Sequence, residues 1–333
     1  MSREWPGGLI RSTPITPTGP FQDGTAPGVW TLDQMAYWLQ QGLWPIAGSG
    51  VTPIGLFGGT TSAVNTIQRI TIATLGNSTY FGNLTVSRSE LAACASSTRG
   101  LFAGGPSSNV IDYVTFGTSA NAIDFGDLVA TTDSLAGCAS STRGIFGGGL
   151  SSGSNSNVIN YVTIASTGNA IDFGDLLQAR YGLASCSSTT RGVFGGGITS
   201  TTVATIDFIT IASVGNASNF GNLTVARNFA AACSSSTRGL FAGGRLSSTN
   251  QNVIDYITIA TTGNAIDFGD LTVARQALGA CSSSTRGVFA GGVGSNVIDY
   301  VTLASIGNAI DFGDILGTAT AYISGCSNVH GGL

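Results

Sequence analysis

The sequence predicts an all-β fold: a six-bladed β-propeller of four-stranded blades, preceded by an extended arm with one short helix. Three observations predict it. One phrase recurs almost unchanged, as "STRGLFAGG" at 97–105, "STRGIFGGG" at 141–149, "TTRGVFGGG" at 189–197, "STRGLFAGG" at 236–244 and "STRGVFAGG" at 284–292. Each repeat holds four short stretches rich in Ile, Val, Thr, Phe and Tyr, separated by Gly, Ser and Asn, which is the pattern of strands and tight turns. The first repeat lacks an opening strand that the end of the chain supplies, so the ring can close through a blade shared between the two ends.

Residues 1–50 differ in kind from the rest. All four Trp (Trp5, Trp30, Trp38, Trp44) and seven of the eight Pro lie within the first 53 residues. "RSTPITPTGPFQDGTAPG" reads as an extended, Pro-punctuated arm. "GVWTLDQMAYWLQQGLWP" (28–45) predicts a helix over about 31–42. Thr31 is placed as its N-cap with Gln34 reaching back, and Trp30 staples onto Met35. Gly42 suits the C-terminal cap and Pro45 stops continuation. A helix this short does not stand alone. Leu32, Met35 and Leu39 must therefore pack on the propeller or on another protein, and with the four Trp they are expected to dock on a partner and not merely to cover the disc.

Residues 51–333 form the repeat region. The markers Arg99, Arg143, Arg191, Arg238 and Arg286 are 44, 48, 47 and 48 residues apart, four strands per repeat being the arithmetic of a propeller blade. Small residues in the first stretch (Ala, Ser, Cys) suit a strand crowded around a central channel. Between the di-glycine and the third strand the spacing changes from repeat to repeat, and elsewhere it is constant. All length variation thus falls in the loop joining strands two and three, on one face of the disc. Loops that vary on a fixed scaffold are where recognition usually sits. The expected recognition residues are Ser107, Ser108, Asn109, Ser152, Asn155, Thr199, Thr201, Arg245, Asn250 and Ser295. Counting on from Asp314 puts "ATAYISGCS" (319–327) as the inner strand of the shared blade and His330-Gly331 where an Arg-Gly pair is due.

The order Arg, small-apolar strand, polar turn, aromatic, Gly-Gly, then a strand with Tyr resembles the kelch repeat, over about 280 of the 333 residues. Where kelch repeats carry a fourth-strand Trp, this chain has Phe125, Phe173, Phe220, Phe268 and Phe312. The resemblance implies the fold and no single function.

No catalytic, cofactor or metal residue is assigned from the sequence. "DFG" occurs four times without any phosphate-binding loop, so it does not read as a kinase motif. The periodic Asp pairs (Asp124/Asp127, Asp172/Asp175, Asp267/Asp270, Asp311/Asp314) suit either turn capping or a hard cation. The marker arginines suit bonding to neighbouring blades or an anion, and the series Arg88, Arg180, Arg227 and Arg275 is placed at the start of first strands, bonding between blades. Six Cys, one per repeat, fit buried thiols better than a disulfide or zinc framework. With one His, no Lys and few acids outside the repeat, enzymatic chemistry has little to work with.

Only 9 % of residues are charged, against about 25 % in an average protein. The net charge of −4 disfavours nucleic acid as a partner, no signal peptide is visible, and no apolar run reaches the length of a membrane span. The segment 28–45 is similar to N-terminal segments of structural proteins of tailed bacteriophages, in which "GVW(T/S)L…Y…QG.WP" precedes a repetitive region. That resemblance implies a virion protein (tail fibre, neck or head appendage, or capsid decoration) assembled in the host cytoplasm. Its arm would dock to other virion proteins in an oligomeric assembly, and its propeller would meet a host-surface glycan or protein. An intracellular kelch interaction scaffold and a glycan-cleaving enzyme are the alternatives.

Overall fold

The computed structural model describes residues 52–60, 64–317 and 321–333, with Glu4–Trp5, Gly8–Leu9 and Asp33. The chain separates into two units, Met1–Thr52 and Pro53–Leu333. In the first, Glu4–Trp5 pairs antiparallel with Gly8–Leu9, and Asp33 is helical and exposed. The expected docking residues Trp30, Leu32, Met35, Trp38, Leu39 and Trp44, the Trp5 side chain and the rest of the expected helix lie outside the described residues.

The second unit is a propeller of six four-stranded antiparallel sheets. Blade 1 is the shared one. Its inner strand, Ser324–Ser327, pairs with Ile54–Gly58, followed outward by Thr66–Thr71 and Thr79–Asn83. Blade 2 comprises Ala92–Ala95, Arg99–Ala103, Val110–Thr115 and Ile123–Asp127. Blades 3 to 6 repeat this order from inner strands Ala136–Ala139, Ala184–Ser187, Ala231–Ser234 and Gly279–Ser282.

The recurring phrase is a packing code between blades. The Gly after each marker Arg, and Gly55 at the same place in blade 1, faces the Cys of the preceding blade. A Cβ built on Gly55, Gly100, Gly144, Gly192, Gly239 or Gly287 would lie 2.5–3.1 Å from the Sγ of Cys281, Cys326, Cys94, Cys138, Cys186 or Cys233, respectively. The Phe two places on packs towards the same neighbour: Phe102, Phe194 and Phe241 press on Gly58, Gly147 and Gly195 of the blade before. Apolar burial is accordingly divided into six clusters, each spanning two adjacent blades.

Burial pushes the Cys thiols up, those of Cys138 and Cys233 to about 12. Because the thiolate is the reactive form, the folded protein is expected to show no fast-reacting thiol with a colorimetric disulfide reagent at pH 8. All six should react after denaturation. Rapid modification of any of them in the native state would contradict this packing.

The marker arginines bond across blades. Arg99 stacks on Tyr113 at 4.8 Å and donates to the carbonyls of Ile164 and Ala165 in blade 3, at 3.0 Å each. Arg143, Arg191, Arg238 and Arg286 each stack on the equivalent Tyr or Phe and donate to the next blade's Ile211, Ile259, Leu303 or Ile72 carbonyl. The fourth-strand Phe sits edge-on to the same ring, as for Tyr113 and Phe125 at 5.9 Å.

The other arginine series departs from its expected place. Arg88, Arg180, Arg227 and Arg275 lie four residues before the inner strands, in the connectors between blades, and are buried. Each pairs with a fully buried third-strand carboxylate: Asp112, Asp207, Asp255 or Asp299, at 3.0, 3.1, 2.8 and 3.1 Å. Burial pulls all four guanidinium groups below their ordinary value, and the facing carboxylate opposes this. The connector also donates its own amides, as Thr85 and Thr224 do to Asp112 and Asp255. Blade 3 has neither charge: Thr132 stands for the Arg and Asn160 for the Asp. In blade 1 the Asp position is likewise neutral, held by Gln68. A buried charge without its partner is costly, so the pair is kept or dropped as a unit.

The expected kinship of His330 with the marker arginines fails. After Ser327 the chain does not begin a second strand but turns across one end of the channel. There the inner-strand serines form a chain of bonds: Ser187 Oγ donates to Ala139 O, Ser234 Oγ to Ser187 O, Ser282 Oγ to Ser234 O, and Ser327 Oγ to Ser282 O. Blades 2 and 3 have Ala95 and Ala139 instead, so the Ala95 carbonyl receives no serine. His330 Nε2 fills that place at 2.7 Å, and Nδ1 accepts from the Gly332 amide at 3.0 Å.

Both ring nitrogens are thus used by a neutral imidazole, and burial lowers the His330 pKa, opposed by its bond to Ala95. The folded protein therefore binds fewer protons here than the unfolded chain. Stability from this site is complete above about pH 6.5 and falls as pH drops towards the lowered folded value. His330→Gln keeps a donor for Ala95 and removes the titration. Its melting temperature is expected to fall less than that of the unmodified protein between pH 7 and 5. Equal falls would remove His330 from the account.

Candidate functional site

The connectors entering the blades rim one end of the channel, opposite the end crossed by the tail. At one position of each, just before the inner strand, the backbone is left-handed: Glu90 (φ 54°), Ser134 (52°), Gly182 (61°), Phe229 (49°), Ala277 (57°) and Tyr322 (60°). For a residue with a side chain this conformation costs about 1–2 kcal/mol, and for Phe and Tyr it is a true outlier. A closed ring of backbone bonds holds it. Ser134 N donates to Glu90 O, Gly182 N to Ser134 O, Phe229 N to Gly182 O, Ala277 N to Phe229 O, Tyr322 N to Ala277 O and Glu90 N to Tyr322 O, at 2.7–3.3 Å.

These six positions carry six different residue types on a scaffold that otherwise repeats, with Leu or a close substitute next in five of the six (Leu91, Leu135, Leu183, Leu278, Ile323). Around a cavity of ≈ 100 Å³ they form two unlike halves. On one, Ser134 Oγ donates to Glu90 Oε2 at 2.6 Å. On the other, Phe229 meets Tyr322 edge-on at 5.4 Å and Tyr181 at 6.1 Å. Gly182 makes room for the Phe229 ring, which a Cβ there would meet at 3.2 Å. Burial raises the Tyr322 phenol above its ordinary value; Glu90 adds to the rise and Arg245 opposes it.

The expected recognition loops lie on this same face. The residue before each rim position bridges to a loop between strands two and three in three blades: Asp133 with Leu150, Tyr181 with Ile198, Asn228 with Arg245. The extra loop residues of blades 3 and 5 form small hairpins, Leu150–Ser151 with Ser154–Asn155 and Arg245–Leu246 with Thr249–Asn250. Ser107, Ser152 and Thr201 are exposed; Asn109, Arg245 and Asn250 are half-buried.

Four of the expected residues shape the loops instead of facing outward. Ser295 is buried and its Oγ accepts from Val297 N, and Ser108 Oγ accepts from Val110 N. Asn155 donates to the carbonyls of Ile198 and Thr199, tying two neighbouring loops together, and Thr199 bonds Thr201 O.

The periodic Asp pairs end fourth strands, whose later amide is bonded by the Asn of the next blade, as Asp127 N donates to Asn169 Oδ1 at 3.1 Å. Asp172 and Asp311 accept from the amides two residues on. Among the described residues no three His, Cys, Asp or Glu side chains come together as a metal site.

No protein-family model matches the chain, and a search of curated proteins finds no relative.

Proposed function

We propose that this is a non-enzymatic binding propeller whose recognition surface is the channel mouth with the loops around it. The observation that carries the reading is where the repeats diverge. Six blades share one packing code, while side-chain identity at the rim and loop length between strands two and three both vary on a single face. Neutral drift would spread such variation over both ends of the disc.

We extend the reading to a kelch-type protein of a tailed-bacteriophage virion, its arm docked to the particle and its mouth turned to the host surface. The supports are the segment 28–45, the kelch-like order of the repeat and the sparse charge of the chain. Two measurements test it. Particles purified by density gradient from cells producing this chain are expected to carry it, and to lose it when residues 1–50 are deleted. The purified full-length chain is expected to adhere to host-cell envelopes. Retention of the truncated chain on particles would sink the docking role, and absence of the full-length chain from particles would sink the virion assignment.

A further inference from the structure

The rim combines groups that are rarely useful together except to one kind of ligand. Phe229 and Tyr322 offer half-buried aromatic surface in a T-shaped pair. Glu90 has one oxygen bonded by Ser134, and its other carboxylate oxygen has no partner among the described residues. Arg245, whose backbone bridges to Asn228 beside Phe229, has a buried Nε with no hydrogen-bond partner. An apolar ligand would leave Glu90 and Arg245 unmatched. An anion would meet Glu90, and a cation would meet Arg245. A neutral molecule with an apolar face and a ring of hydroxyls satisfies all four groups. The far end of the channel is crossed by residues 328–333, which makes the mouth a closed cup and not a passage.

We propose that the channel mouth binds a pyranose ring of a neutral saccharide, its C–H face against Phe229 and Tyr322 and its hydroxyls on Glu90 and Arg245. This rests on the reading of the mouth as the recognition surface. Glu90 accepts hydroxyl protons, Arg245 donates to hydroxyl oxygens, and the aromatic pair excludes water from the sugar's apolar face.

The test uses the full-length chain on an array of immobilised oligosaccharides, some ending in neutral hexoses or N-acetylhexosamines and others sialylated or sulfated. Members of the neutral set are expected to bind. Phe229→Ala and Glu90→Gln are each expected to weaken that binding at least tenfold with unchanged melting curves. Ala is already accommodated at the equivalent left-handed position, Ala277, so the first variant should fold. Ile266→Ser, on the exposed outer rim, should bind as the parent does. Competition by free monosaccharide distinguishes a site for single sugars from one that needs a surface glycan. Preference for acidic sugars, absence of any neutral ligand, or binding undiminished in both mouth variants would overturn the proposal. Adhesion to host-cell envelopes separates the two levels. If Phe229→Ala abolishes adhesion while no saccharide competes, the mouth remains the recognition surface and the saccharide is wrong. If adhesion survives in Phe229→Ala, the mouth itself is wrong.

Discussion

Asp255→Asn alone is expected to cost about 3–5 kcal/mol, because it leaves the Arg227 guanidinium buried without a counter-charge. Both side chains have no exposed surface and lie 2.8 Å apart. Arg227→Thr alone should cost a similar amount, since the Asp255 carboxylate then loses its cation while Thr224 still holds it in place. The double variant reproduces what blade 3 has already, Thr132 with Asn160, and is expected to recover more than half of either loss. Denaturant unfolding of the two single variants and the double gives the coupling directly. Additive losses would mean that the pair is not the unit described here. The neutral version in blade 3 also shows why the pair is not a general source of stability: a blade without it forms the same sheet.

A chain ending at Asp314 is expected to be destabilised more than any of these variants. It loses the inner strand of blade 1, whose residues Ser324 to Ser327 pair with Gly58 to Gly55. It also loses Cys326 from its seat against Gly100, the Tyr322 link in the rim, and His330 from the Ala95 carbonyl. Burial of Ile323 and Cys326 alone is worth several kcal/mol. A total above about 5 kcal/mol corresponds to a melting point lowered by more than about 10 °C in a chain this size. The freed edge of Ile54–Gly58 is apolar and unpaired, so aggregation should accompany the loss. Calorimetry and light scattering of the truncated chain check both. A cooperative transition at the parent temperature would show that closure contributes little.

The ring was legible because each of its devices repeats. A Cys that needs a Gly in the next blade, and an Arg that needs a carbonyl there, write the same letters once per blade. The shared blade followed from the missing strand. The buried pairs were also legible in principle, since Thr132 and Asn160 depart together from Arg and Asp, but that signal shows only when connector and third strand are aligned side by side. The mouth was not recognised because its signal is the reverse: one position per repeat where nothing recurs. Within a repeat such divergence resembles drift until the left-handed backbone shows that all six positions face the same place. The tail was misplaced because spacing predicts continuation of a pattern. It carries no information on a histidine standing in for a serine that two blades lack.

The rim bonds all run the same way around the axis, each amide pointing to the blade before it. Peptide dipoles arranged head to tail in a closed circle cancel as vectors, so this backbone ring projects little field along the channel, unlike the end of a helix. At these positions the mouth carries five side chains and one glycine on a frame that is electrically nearly silent and already shaped for a left-handed residue. Such a frame acts as a set of sockets. Glu, Ser, Gly, Phe, Ala and Tyr all fit it here, and exchanging them offers a way to retarget the protein while leaving its fold untouched.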